Sequence, residues 1–143
     1  MAAASNGVNI HETEAGQGSR EQISMTWYAA HVIMYVKYRG GQQDSYPVWE
    51  NVFVVESANE GAARTRAEEL GRENEGDSNG SMKWEGRPAS WVFAGVRKLV
   101  KCDSDPEPPR HGTEVTYSEF SVDSLDTLRQ LAAGRRVRID KYD

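Results

Sequence analysis

The sequence has little cysteine, no long apolar run and no recognisable export signal. Its one cysteine, Cys102, excludes an intrachain disulfide and a structural zinc site of the cysteine-rich kinds. No apolar run reaches the about 18 residues that a membrane-spanning helix needs. The N-terminus has no basic patch followed by an apolar stretch, so no secretory signal is predicted. We therefore expect a cytoplasmic protein without a membrane partner, with Cys102 as a half-buried strand residue.

Positive charge is also in short supply. The 143 residues include 17 Lys and Arg against 22 Asp and Glu, for a net charge of −5 and a pI of about 5.3. Nucleic acid is an unlikely partner for such a chain because phosphate binding needs a dense basic surface. The length and the 38% hydrophobic content are typical of one globular domain with a polar tail.

Motifs that carry known chemistry are missing as well. The chain contains no P-loop, dinucleotide-binding glycine pattern, HExxH, EF-hand loop or GxSxG elbow. We therefore predict no cofactor and no metal, and we assign no catalytic residue.

One polar set is nevertheless a candidate for catalysis. His31, Glu50, Tyr117 and Glu119 all fall on predicted strands, and His31 could act as a general base or a metal ligand. The alternative function is then a small hydrolase or nuclease-like enzyme that uses His31 with Glu50 or Glu119. No spacing brings these residues together, and each also suits a half-solvated sheet position.

The pattern of hydrophobic residues predicts one α+β domain over residues 25–143. Residues 1–24 are too polar to offset the entropy of ordering them, which predicts a disordered tail. The predicted strands are residues 26–39, 48–56, 89–102, 113–122 and 135–142, and the predicted helices are residues 57–76 and 123–134. A Ser57–Glu60 capping box is expected to begin the first helix.

The order β-β-α-β-β-α-β indicates an antiparallel-dominated five-stranded sheet with both helices on one face. Its last six elements follow the ferredoxin-like order, with one extra leading strand.

The stretch "PASWVFAGVRKLVKC" carries a glycine and an arginine inside a predicted strand. Gly95 indicates a bulge or the close approach of the alanine-faced first helix. Arg97 has three interpretations: a head in water near the strand end, a buried charge with a partner, or part of an open contact patch.

The preferred function is a non-catalytic protein-interaction or self-associating module. Two helices can cover one face of the sheet but hardly both, and an exposed apolar face on a soluble domain usually marks an interface. A homodimer is the simplest partner arrangement. The expected interface residues are Trp91, Phe93, Arg97, Trp27 and Tyr35.

Weak nucleic-acid binding by the C-terminal basic strand is a further alternative. The residues concerned are Arg135, Arg136, Arg138 and Lys141, with Lys98 and Lys101. A solvated edge strand protected by charge explains the same pattern.

Three strings carry a family resemblance: "WYAAHVIMYVKYRGGQQDSYPVWENVFVVESANEGAARTRAEELG", "RPASWVFAGVRKLV" and "GTEVTYSEFSVDS". Together they resemble a small bacterial family known as domain of unknown function 4288, over roughly Trp27 to Val122. The resemblance implies one natural bacterial domain, and hence a bacterial protein as any partner other than a second copy. It implies no activity, cofactor or catalytic residue.

Overall fold

A computed structural model describes residues 24–143, so the predicted tail, except for Ser24, lies outside the described residues. The elements are β1 (Thr26–Tyr38), β2 (Val48–Ser57), α1 (Glu60–Glu73), β3 (Lys83–Trp84), β4 (Arg87–Lys101), β5 (Phe120–Ser121), α2 (Leu125–Ala132) and β6 (Lys141–Tyr142). The α+β class and the mainly antiparallel pairing are confirmed.

The main sheet has four strands in the order β2-β1-β4-β3. β1 lies at its centre and pairs antiparallel with β2 and β4, as its apolar residues on both parities predict. The even-numbered side chains Val32, Met34 and Val36 of β1 are fully buried. They form the core with α1 and with the inward side chains of β4.

The expected five-stranded sheet with a ferredoxin-like order does not form. The predicted strand over residues 113–122 is limited to β5, and that over residues 135–142 is limited to β6. β5 and β6 pair with each other in a separate two-stranded sheet. High β-propensity is satisfied as a strand only where a neighbouring strand is available to pair with it.

α1 packs its small residues against the main sheet. Ala63, Ala67 and Gly71 are its buried residues. The expected capping box is wrong, because Ser57 is still paired within β2 and the side chain of Asn59 caps the helix. The Ala62 N–H donates to Asn59 Oδ1 at 2.8 Å.

The close approach of α1 to the sheet occurs at a different glycine from the one expected. A Cβ added at Gly71 would overlap the ring of Phe93, whereas a Cβ at Gly95 would meet nothing within 4 Å. Gly71 therefore allows the contact between helix and strand, and Gly95 does not.

Two register irregularities between β1 and β4 decide which β4 side chains lie on which face. Ala94 and Arg97 have no partner in β1, at the shifts between Ile33 and Met34 and between His31 and Val32. An extra residue of this kind changes the side-chain alternation along the strand. Phe93 consequently packs against the core beneath α1, while Arg97 contacts the opposite face.

α2 does not join α1 on the sheet, which corrects the expectation of two helices on one face. Ser124 caps α2 as predicted, with the Thr127 N–H donating to its hydroxyl at 3.1 Å. No residue of α2 is buried. Thr116 and Tyr142, on either side of the α2 segment, contact His31 and Glu50 on the face opposite α1. Neither helix in residues 24–143 has the length and apolar character to span a lipid bilayer.

Candidate functional site

The candidate site is centred on Glu50, on the sheet face opposite α1. Glu50 of β2 is the register partner of Ile33, and its neighbour on the same face, Val52, is the partner of His31. The Glu50 carboxylate lies 2.9 Å from His31 Nδ1 and 2.5 Å from Arg97 Nε. The Tyr142 hydroxyl donates to its other oxygen. Three of the four groups thus come from adjacent strands, and the fourth comes from the C-terminal segment.

His31 is held between a carboxylate and a hydroxyl. Its side chain is nearly inaccessible, at 3% exposure, and its Nε2 lies 2.5 Å from Thr116 Oγ1. Burial lowers the pKa of His31 below the ordinary value of 6.5, against the opposing effect of Glu50. A neutral His31 donates its Nδ1–H to Glu50, because a carboxylate can only accept. Its Nε2 then accepts a hydrogen bond from the Thr116 hydroxyl.

Glu50 is ionised at neutral pH despite being partly buried. Burial by itself raises the pKa of Glu50, but hydrogen bonds from Tyr142, Arg97 and His31 outweigh it and hold the pKa below 4.5. The hydrogen bond to Glu50 also raises the pKa of the Tyr142 hydroxyl, so this hydroxyl stays protonated and donates to Glu50.

Of the three interpretations of Arg97, the structure agrees with that of a charge that has an oppositely charged partner. Its guanidinium pairs with Glu50 and lies 4.2 Å from the centroid of the Tyr142 ring. Its Nη2 is buried without a hydrogen-bond partner among the residues that the structure describes. A second carboxylate, Asp143 Oδ1, lies 3.8 Å from Arg97 Nη1, so the charge is compensated by Glu50 and Asp143 while Nη2 has no acceptor.

A second ion pair fastens the C-terminal residue to β4. Lys98 Nζ lies 2.9 Å from Asp143 Oδ2 and also donates to the backbone carbonyl of Tyr117. The Asp143 N–H donates to the Glu119 carbonyl at 3.2 Å. These contacts hold residues 116–119 and the C-terminal end of the chain over the same sheet face.

The predicted catalytic set is brought together only in part. His31 and Glu50 are in direct contact, as the enzyme alternative requires. Tyr117 and Glu119 approach the cluster through backbone carbonyls, and the side chain that meets His31 is Thr116. No motif marked Thr116, since it stands 85 residues from His31 in the chain. Residues 24–143 hold no group of His, Cys, Asp and Glu side chains suited to a metal ion.

The expected interface residues lie on two different faces. Trp91 and Phe93 pack against the core on the α1 face, where Trp91 is 4.8 Å from Trp49 between ring centroids. Arg97 lies on the opposite face, together with Trp27 and Tyr35, which pair there with Glu56 and Val48. The five residues therefore do not share one face of the main sheet.

The basic residues expected to bind nucleic acid are partly neutralised. Lys98 is paired with Asp143, and Lys101 lies 3.1 Å from Asp105. These pairs remove two of the charges that a phosphate-binding surface would need.

The outer edge of β2 is the most exposed apolar part of the main sheet. Val48, Val52 and Val54 lie on the face of Glu50 and are 57%, 44% and 43% exposed. No strand within residues 24–143 pairs with this edge. β2 contains no lysine or proline, and its register with β1 is continuous, so it lacks three of the features that commonly prevent an edge strand from pairing.

Comparison with known proteins identifies the family of the chain. No curated protein and no solved structure matches it. The model of a family described as a domain of unknown function, DUF4288, matches residues 27–117, more than half of the chain. The match includes His31, Glu50, Arg97 and Thr116 and ends before Tyr142. The chain therefore belongs to the DUF4288 family.

Proposed function

We propose that this protein is a self-associating interaction module in which β2 pairs with β2 of a second copy. The observation that carries the proposal is the exposed, unprotected edge with three valines on one face. Unpaired backbone groups along such an edge are a template for another strand. The interaction surface therefore differs from the expected one, of which only Tyr35 borders the valines, as the partner of Val48.

A symmetric antiparallel arrangement suits the residues of β2. With a two-fold axis through Val52, Glu50 of one copy faces Val54 of the other, and Val48 faces Glu56. No like charges then lie opposite one another. This favours the pairing, because like charges directly opposite across two strands are destabilising. The two four-stranded sheets would join into one continuous sheet with an isologous interface.

Glu50 and the side chains around it, His31, Arg97, Thr116 and Tyr142, form a polar cluster. This polar cluster supports the proposal by keeping charge away from the edge. Glu50 alternates with the valines along β2, but its carboxylate is turned to His31 and Arg97. The Glu50 carboxylate is therefore compensated within the chain. An uncompensated carboxylate at this position would oppose the pairing of β2 with a partner strand.

The proposal is tested by light scattering of the purified protein across a range of concentrations. We expect the native chain to dimerise and Val54→Lys to be monomeric, since a lysine on an edge strand opposes pairing. Leu128→Lys is the matched control because Leu128 on α2 is 47% exposed, close to the value for Val54. A monomeric native chain would refute the proposal, as would a Val54→Lys protein that dimerises as well as the control.

A further inference from the structure

The polar cluster contains a row of three groups, and the interaction function uses only the inward orientation of Glu50 among them. Thr116 Oγ1, the His31 ring and the Glu50 carboxylate follow one another at 2.5 Å and 2.9 Å. A hydroxyl, an imidazole and a carboxylate in this sequence form the nucleophile–base–acid arrangement found on several unrelated folds. We infer that the protein hydrolyses small carboxylic esters. Thr116 is the nucleophile that accepts the acyl group, and His31 is the base.

The direction of the hydrogen bonds suits this chemistry. The ionised Glu50 takes the Nδ1–H of His31, so the free lone pair of the ring points at the Thr116 hydroxyl. Glu50 thus acts as a positioning residue that selects the tautomer. His31 is the general base that touches the reacting oxygen.

Two further groups lie close to Thr116. Lys98 donates to the carbonyl of Tyr117, the next residue in the chain, and its positive charge would stabilise an oxyanion that forms on this side of Thr116. The Tyr117 side chain is 58% exposed and offers an apolar ring to the acyl or alcohol group of an ester. Thr116 itself is half-buried, at one end of a row whose middle member, His31, is buried.

The reaction balances with water as the second reactant. The Thr116 oxygen forms a bond to the acyl carbon while its proton passes to His31 Nε2. The ester C–O bond then breaks, and the leaving alcohol takes that proton from His31. In the second half, water attacks the acyl-threonine, gives its proton to His31, and the Thr116 oxygen recovers the proton as the carboxylic acid leaves.

The experiment uses p-nitrophenyl acetate with the full chain. It follows p-nitrophenolate release and locates the acetyl group by peptide mass mapping. We expect acetyl on Thr116, its loss in Thr116→Val, and its retention in Thr116→Ser, which restores a hydroxyl. His31→Gln should slow acylation by about 100-fold or more, the usual contribution of a positioned base.

The control variant is Thr113→Val, which changes a nearby threonine whose hydroxyl accepts from the Arg110 N–H rather than meeting His31. It should acylate Thr116 at the native rate. If His31→Gln does not fold, the comparison of Thr116→Val with Thr116→Ser still decides the matter, with circular dichroism as the check on folding. Acetylation confined to lysines, or equal release from all variants, would overturn the inference.

Discussion

His31 and Glu50 lie on adjacent strands, 19 residues apart in the chain, with Nδ1 and Oε1 2.9 Å from each other. In the folded protein both pKa values are lowered, that of His31 first by burial and that of Glu50 by hydrogen bonds that outweigh its burial. The contact therefore joins a neutral imidazole to an ionised carboxylate at neutral pH. As the pH falls, protonation should therefore affect His31 first and Glu50 second.

The first prediction concerns stability against pH. Because folded His31 binds its proton at a lower pH than the unfolded chain does, its contribution is present above pH 6.5 and is lost as the pH falls towards the folded pKa. The contribution of Glu50 is present above pH 4.5 and is lost as the pH falls through its own lowered pKa. Urea denaturation measured from pH 8 to pH 3 should therefore show two decreases in the unfolding free energy, the first below pH 6.5 and the second below pH 4.5.

The variant His31→Gln should remove the decrease that begins at the higher pH. The control His111→Gln, at an exposed loop position, should keep it. An unchanged profile in His31→Gln would contradict this account.

The second prediction is that Gly71→Ala destabilises the fold. A methyl group at Gly71 would overlap the Phe93 ring and push α1 from the sheet, at a cost of about 1–3 kcal/mol in unfolding free energy. Gly95→Ala is the control, since a methyl group there meets nothing within 4 Å and should leave stability unchanged or raised. Thermal or urea unfolding measures both, and equal effects would refute the assigned contact.

The third prediction separates core from interface. Phe93→Glu should prevent folding or lower the unfolding free energy by more than about 3 kcal/mol, because Phe93 packs against the buried cluster beneath α1. Val54→Glu places the same charge at an exposed position and should fold normally. Circular dichroism and urea denaturation distinguish the two variants. A stable Phe93→Glu protein that only fails to associate would place Phe93 in the interface instead.

The fourth prediction concerns the start of α1. Asn59→Ala should cost about 1 kcal/mol of unfolding free energy, because it leaves the Ala62 N–H without its acceptor. Asn59→Asp is the matched control, since aspartate keeps a side-chain oxygen for that N–H and its negative charge suits the start of a helix. It should retain the native stability in urea denaturation. An Asn59→Asp protein as unstable as Asn59→Ala would contradict the assigned cap.

Local patterns in the sequence determined a large part of this protein. The density of β-branched and aromatic residues predicted β1, β2 and β4, and the alanine stripe predicted α1, because these preferences act between residues close in the chain. The resemblance to DUF4288 was likewise visible in three strings, of which the family model matches the first two in full and the third as far as Tyr117. His31 and Glu50 could be named as candidates from residue type alone.

Only the tertiary structure decided which side chains meet. Alternation along β4 placed Phe93 and Arg97 on one face, and the register irregularities, which depend on pairing with β1, separated them. Thr116 reaches His31 across 85 residues, and Tyr142 reaches Glu50 across 92, along a chain path that no local preference encodes. The polar cluster therefore depends on long-range pairing, whereas the strands that carry His31, Glu50 and Arg97 depend mainly on local composition.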